Sequence, residues 1–132
     1  MSADGKTKAA TRLRGLVAGL GVAVMVAGCA ANPETAKLAY VKSGDDYLAD
    51  GKVKEAIIEY RNAIQKDARF AEARLKLADA YLRVEDVPNA GREYLRAADL
   101  LPDDTALQLK AGAFLLLFGR FEDASTFCAR VL

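Results

Sequence analysis

The sequence matches itself when shifted by 34 residues. Tyr47 falls on Tyr81 and Leu115, and Leu48 on Leu82 and Leu116. Gly44 falls on Ala78 and Gly112, Ala56 on Ala90 and Ala124, and Tyr60 on Tyr94 and Cys128. Ala63, Ala97 and Val131 keep the same register, as do Lys42, Lys76 and Lys110. A fixed interval of this length marks a chain built by stacking copies of one supersecondary unit. Inside each unit apolar residues recur at helical spacing, and no segment alternates as a strand does. The expected fold is all-α, an antiparallel helix-hairpin solenoid, with helices at roughly 34–49, 53–67, 71–84, 87–100, 105–118 and 121–132.

Close packing explains the register. Gly44, Ala78 and Gly112 on first helices, and Ala56, Ala90 and Ala124 on second helices, allow axes to approach to about 8 Å. Tyr47, Tyr60, Tyr81 and Tyr94 are then core fillers between hairpins. Asp50-Gly51 and Phe118-Gly119 supply glycines for left-handed C-caps, and Asn32-Pro33-Glu34 reads as a helix start. Asp103 or Asp104 can cap the helix after Pro102. No hairpin can bury its own apolar face, so neighbours must stack.

These residues resemble the tetratricopeptide repeat (TPR) family. Its pattern places a large residue, Leu-Gly and Tyr on the first helix, Ala, an aromatic and Ala on the second, and Pro near the end. The second unit supplies Leu77-Ala78, Tyr81, Ala90, Tyr94, Ala97 and Pro102; the first supplies Tyr40, Gly44, Tyr47, Ala56, Tyr60 and Ala63. The third supplies Gly112, Leu115, Gly119 and Ala124. Arg74 and Gln108 depart from the early aromatic, Ser43 from a Leu, and Ala68 from the usual Pro. The resemblance spans residues 37–132 as two full repeats (37–70 and 71–104) and most of a third (105–132). Phe114 to Phe118 is apolar all round, and Phe121, Phe127 and Leu132 have no obvious cover. The expectation is the front of a longer array; closure by a partner or self-association through the uncapped last helix is the alternative.

The first residues read as an address. Lys6, Lys8, Arg12 and Arg14 precede a twelve-residue uncharged run, Leu16 to Ala27. As a helix that run covers roughly 18 Å, short of the ~30 Å membrane core. It ends in Val26-Ala27-Gly28-Cys29, which resembles the lipobox of bacterial lipoproteins. The resemblance implies a signal peptide over 1–28, cleavage between Gly28 and Cys29, acyl chains on Cys29 and a short linker over 29–36. Two or more acyl chains anchor stably where one does not. Ala30 rather than Asp after the Cys implies the outer membrane, facing the periplasm.

Composition narrows the chemistry. The leader carries four basic residues and one acid, leaving 15 basic and 17 acidic residues and a net of −2 behind it. That body lacks the basic excess of a nucleic-acid binder. There is no His, the commonest general base and metal ligand. No phosphate loop or nucleophile–base set occurs, so no enzyme, metal or cofactor is expected. Asp45-Asp46 and Asp103-Asp104 read as solvated or capping pairs. Cys128 is expected to be buried as a small hydrophobe, with an intermolecular disulfide as the alternative.

The TPR resemblance implies a concave groove lined by first helices. At the matched positions it would present Lys42, Asp45 and Leu48, then Leu75, Lys76, Asp79 and Leu82, then Leu109, Lys110 and Leu116. A Lys row beside a Leu row suits a peptide with apolar anchors and an acidic group. The competing reading of the Lys row is a solvated face, with Lys42 neutralised by Asp45 or Asp46 and Lys76 by Asp79. The family's clamp for a terminal carboxylate is not expected, because Asp45 and Ala106 stand where it needs Asn and Lys. The combined expectation is a lipid-anchored scaffold for other proteins, similar to exosortase-associated TPR lipoproteins. A pilotin-like factor delivering a client and the front of an enzyme are the alternatives.

Overall fold

Asn32 opens the first helix, its side-chain oxygen accepting from the Glu34 amide at 3.1 Å, with Pro33 in the first turn. The computed structural model describes residues 32–130. The leader, the lipobox with Gly28 and Cys29, Val131 and Leu132 lie outside the described residues. Six helices follow in order: α1 (Pro33–Ala49), α2 (Val53–Lys66), α3 (Ala71–Arg83), α4 (Val87–Leu100), α5 (Thr105–Leu117) and α6 (Phe121–Ala129). Among the described residues there is no strand. Each helix packs mainly on its neighbours in the chain, the one-dimensional contact pattern of stacked hairpins.

Helix ends follow from local chemistry. Asp86 and Asp104 cap α4 and α5, accepting from the Asn89 and Leu107 amides at 3.2 and 3.0 Å. The turns inside the three hairpins share one geometry. Gly51 and Gly119 have φ of +75° and +72°, and Glu85, which lies between them in the 34-residue register, has φ of +61°. In the first turn Lys52 N donates to Tyr47 O at 2.9 Å and Gly51 N to Leu48 O at 3.1 Å, the paired bonds of a Schellman cap.

The core is a chain of small clusters between hairpins. Val41, Ala63 and Ala73 form one, and Ala56, Tyr60, Leu77 and Ala80 the next. The largest joins α3 to α6 around Ala78, Tyr94, Ala97, Ala111 and Leu115. Alanines at the contacts bring backbones together, and the two fully buried tyrosines fill what remains. Tyr47 and Tyr81 are half-buried and pack against these clusters. Phe127 is covered, contrary to expectation: it is 9% exposed, with the Arg130 guanidinium 4.4 Å above its ring. Cys128 is half-buried rather than buried. Leu117 and Phe121 remain 66% and 68% exposed.

The two departures from the aromatic position are buried polar groups. Arg74 donates twice to Ala68 O, at 3.1 and 2.6 Å, and once to Glu93 Oε2 at 2.7 Å. Gln108, one interval later, donates to Ala98 O at 2.6 Å and Leu101 O at 3.2 Å. Both satisfy carbonyls near the C-terminal end of the preceding second helix, groups that no helical amide can reach.

Candidate peptide-binding face

The first helices α1, α3 and α5 are linked by a repeating three-residue bridge of side chains. Asp45 on α1 accepts from Tyr60 OH on α2 at 2.7 Å and from Lys76 Nζ on α3 at 3.0 Å. One interval on, Asp79 accepts from Tyr94 OH, and Lys110 Nζ donates to the same hydroxyl at 2.8 Å while lying 3.9 Å from Asp79. The bridge thus links a first helix, its hairpin partner and the next first helix. In the third repeat Ala113 and Cys128 stand at the Asp and Tyr positions, and the bridge stops.

This arrangement corrects the expected pairing of the Lys row. Lys76 does not pair within its own helix to Asp79; it crosses to Asp45. Only Lys42 keeps a local partner, Asp46 at 2.7 Å, with both side chains well exposed. Spacing along one helix could not show the crossing, because partners 31 residues apart meet only once hairpins stack.

The environment tunes the bridge. Burial pushes the Asp45 carboxyl upward, but hydrogen bonds from Tyr60 and Lys76 outweigh it and hold the carboxyl below its ordinary 3.8. Tyr60 and Tyr94 are both raised well above 10.0, first by burial and then by their hydrogen bonds to Asp45 and Asp79. Each tyrosine is therefore a fixed donor over the whole physiological range.

With the lysines neutralised, what the face offers is apolar. Leu82, Leu109 and Leu116 are 37%, 51% and 51% exposed. Leu48 is half-buried against the cluster around Tyr60, and Leu75 against the one around Tyr94. The sequence positions expected to line a groove thus divide into three roles: bridging (Asp45, Lys76, Asp79, Lys110), packing (Leu48, Leu75) and exposed (Lys42, Leu82, Leu109, Leu116). The bridging tyrosines are visible in the sequence only as aromatic core positions. Among the described residues no group of three or more His, Cys, Asp or Glu could hold a metal ion, and no helix is long and apolar enough to cross a membrane.

Comparisons with known proteins agree with this architecture. The TPR repeat family matches residues 44–84. Superkiller complex protein 3 of Mus musculus is 27% identical over 94 residues; these are 71% of this chain and 6% of that protein, so the chain spans a small fraction of its curated relative. Among solved structures, the second TPR of Spaghetti (RPAP3) bound to HSP90 peptide SRMEEVD superimposes with a TM-score of 0.59 at 20% identity, covering 74% of this chain and 91% of that one. The first TPR of Spaghetti, bound to the same peptide, gives 0.56 at 26% identity, covering 74% and 79%. MamA gives 0.60 at 20% identity, covering 74% and 54%. Six helices, one shared turn geometry and these likenesses together make the described part of the chain a TPR-like helical repeat array.

Proposed function

We propose that this chain is a lipid-anchored TPR scaffold of the bacterial cell envelope, holding a peptide segment of another protein along its first-helix face. The carrying observation is the row of exposed Leu82, Leu109 and Leu116 beside lysines whose charge is already matched. Such a face favours apolar anchors over a charged ligand, since a salt-bridged lysine gains little from a second carboxylate. Two structural neighbours were solved with a bound peptide, which supports a peptide or protein partner here. The anchor rests on the order of basic segment, apolar run and Val26-Ala27-Gly28-Cys29. An outer-membrane position facing the periplasm rests on Ala30 after the cysteine.

Leu82→Glu with Leu109→Glu should abolish capture of partners by the purified protein while leaving the helical circular-dichroism signal intact. Capture that survives both changes rejects this face. Cys29→Ser should remove palmitate labelling and leave the leader uncleaved; persistent labelling rejects the anchor. The exposed Leu117 and Phe121 present a surface that a neighbouring helix pair would cover. A concentration series by light scattering tests whether a second copy supplies that cover.

A further inference from the structure

The opposite side of the array holds a cleft that the sequence did not suggest. The second helices α2 and α4 both rest on α3 rather than on each other, leaving a trough of about 520 Å³ between them. Its walls carry Arg61 from α2 and Arg92 and Arg96 from α4, with the buried Arg74–Glu93 pair beneath. Four arginines thus face one glutamate. Glu93 is already shared by Arg74 and Arg96, at 2.7 and 2.8 Å. Arg61 and Arg92 have no acidic side chain within salt-bridge distance among the described residues; Arg92 reaches only the Asn89 amide oxygen.

The molecule contains its own control. One interval along, α4 and α6 flank an equivalent trough of about 260 Å³. In register, Leu95 replaces Arg61, Asp99 replaces Gln65, Asp123 replaces Asn89 and Thr126 replaces Arg92. That trough has two arginines and two aspartates, with Arg130 bonded across it to Asp99 at 3.2 Å. The same backbone architecture is therefore built without a positive excess. The charge of the first trough is not a requirement of packing.

We propose that the α2–α4 trough binds an acidic peptide segment of a partner protein, separately from the first-helix face. Arg61 and Arg92 on opposite walls can each take a carboxylate in a two-pronged bond, which the planar guanidinium favours. The Gln65 amide on the α2 wall can pair with peptide backbone, since it both donates and accepts, while Asn89 is held by Asp86 and Arg92. Leu77 and Tyr81 on the floor accept an apolar side chain between two acids. The trough is open along its length, which suits an extended chain better than a compact anion. This site does not depend on the first-helix reading.

The test uses the full chain and a fluorescein-labelled EELEE peptide, read by anisotropy. Binding should weaken steeply with added salt, and a KKLKK peptide should not bind. Arg61→Ala with Arg92→Ala should lose at least about tenfold in affinity. Arg130→Ala in the second trough and Leu109→Glu on the first-helix face should bind as the parent does. Gln65→Asp copies Asp99 and should draw Arg96 across the trough; it must also weaken binding, and it removes no arginine. Unchanged affinity in both trough variants overturns the proposal, as does equal loss in Arg130→Ala. Displacement by inorganic phosphate at the peptide's own concentration overturns it in favour of a small-anion site.

Discussion

At the junction of the first two hairpins, Arg74 reaches back to Ala68 O and sideways to Glu93, and Lys76 closes on Asp45 at 3.0 Å. At the next junction the same positions hold Gln108, which is neutral, and Lys110, which sits 2.8 Å from Tyr94 OH and 4.0 Å above its ring. There Phe114 also stacks on Tyr94 with centroids 5.2 Å apart. One junction is held by two close ion pairs, and the other by a neutral amide, a lysine shared between the Tyr94 hydroxyl and a longer pair with Asp79, and aromatic faces. The repeat interval thus preserves a backbone task, the satisfaction of helix-end carbonyls and the fixing of a tyrosine, while the chemistry that performs it changes.

The sharpest way to break this comparison is to remove the polar group from each junction. Arg74→Met leaves Glu93 buried with only the exposed Arg96 as partner, and should cost about 3–5 kcal/mol in urea unfolding. Adding Glu93→Met should restore most of that loss, because the orphaned charge is gone. Gln108→Met, by contrast, removes two donors together with an Oε1 that has no partner, and should cost about 1–2 kcal/mol. Equal losses at the two positions would show that charge is not what separates the junctions.

Packing against the bridging tyrosines gives the next effect. A Cβ at Gly44 would lie 2.4 Å from Tyr60 Cε1, so the ring must shift to admit it, whereas Tyr94 already packs with Ala78 at the same position and keeps its bond to Asp79. Gly44→Ala should therefore cost about 1–3 kcal/mol despite its better helix propensity. Gly112, the same position in the third hairpin, faces Cys128 Sγ at 3.3 Å instead, and Gly112→Ala should change stability by less than about 1 kcal/mol. Thermal melts of the two variants decide whether the position of the Tyr60 ring, rather than the presence of a tyrosine, sets the cost.

The bridge also fixes how stability depends on pH. Asp45 is lowered on folding, so its contribution is complete above about 3.8 and disappears as pH falls through the lower folded value. Tyr60 and Tyr94 are raised, so their contribution is complete below 10.0 and disappears as pH climbs above it. Stability should be flat between these limits as far as the bridge is concerned. Tyr60→Phe should cost about 1 kcal/mol at pH 7 and reduce the alkaline loss. Tyr94→Phe tests the second junction in the same way, and an alkaline arm unaffected by either change rejects this assignment.

Much of this fold was legible because its signals are local. Pro33, Asp104, Gly51 and Gly119 mark helix ends through caps and left-handed turns, and small residues at a fixed interval mark the contacts. What was illegible depends on residues far apart in the chain. Arg74 meets Glu93 19 positions away, and Asp45 meets Lys76 31 away, so neither pairing follows from spacing along a single helix. Phe127 looked bare because its cover comes from α5 across the hairpin and from Arg130. The α2–α4 trough was invisible for the same reason: its arginines are scattered over three helices and converge only when the hairpins stack.

The smallest expected effect separates the middle hairpin from its neighbours. Glu85 holds φ of +61° where the flanking turns use glycine, and its amide donates to Leu82 O at 3.0 Å while Asp86 N donates to Tyr81 O at 2.9 Å. A side chain in this left-handed conformation costs roughly 1 kcal/mol or more through contact of Cβ with the backbone, and glycine avoids that cost. Glycine also leaves the unfolded chain freer, which offsets part of the gain. Glu85→Gly should therefore stabilise the chain by a net of about 0.5–1 kcal/mol, read as a higher urea midpoint with an unchanged slope. The reverse changes, Gly51→Glu and Gly119→Glu, should each destabilise by a similar amount, since nothing lies within 4 Å of either added Cβ and only the backbone conformation resists. A loss on Glu85→Gly would mean that the glutamate side chain holds the turn by a contact stronger than the strain it carries.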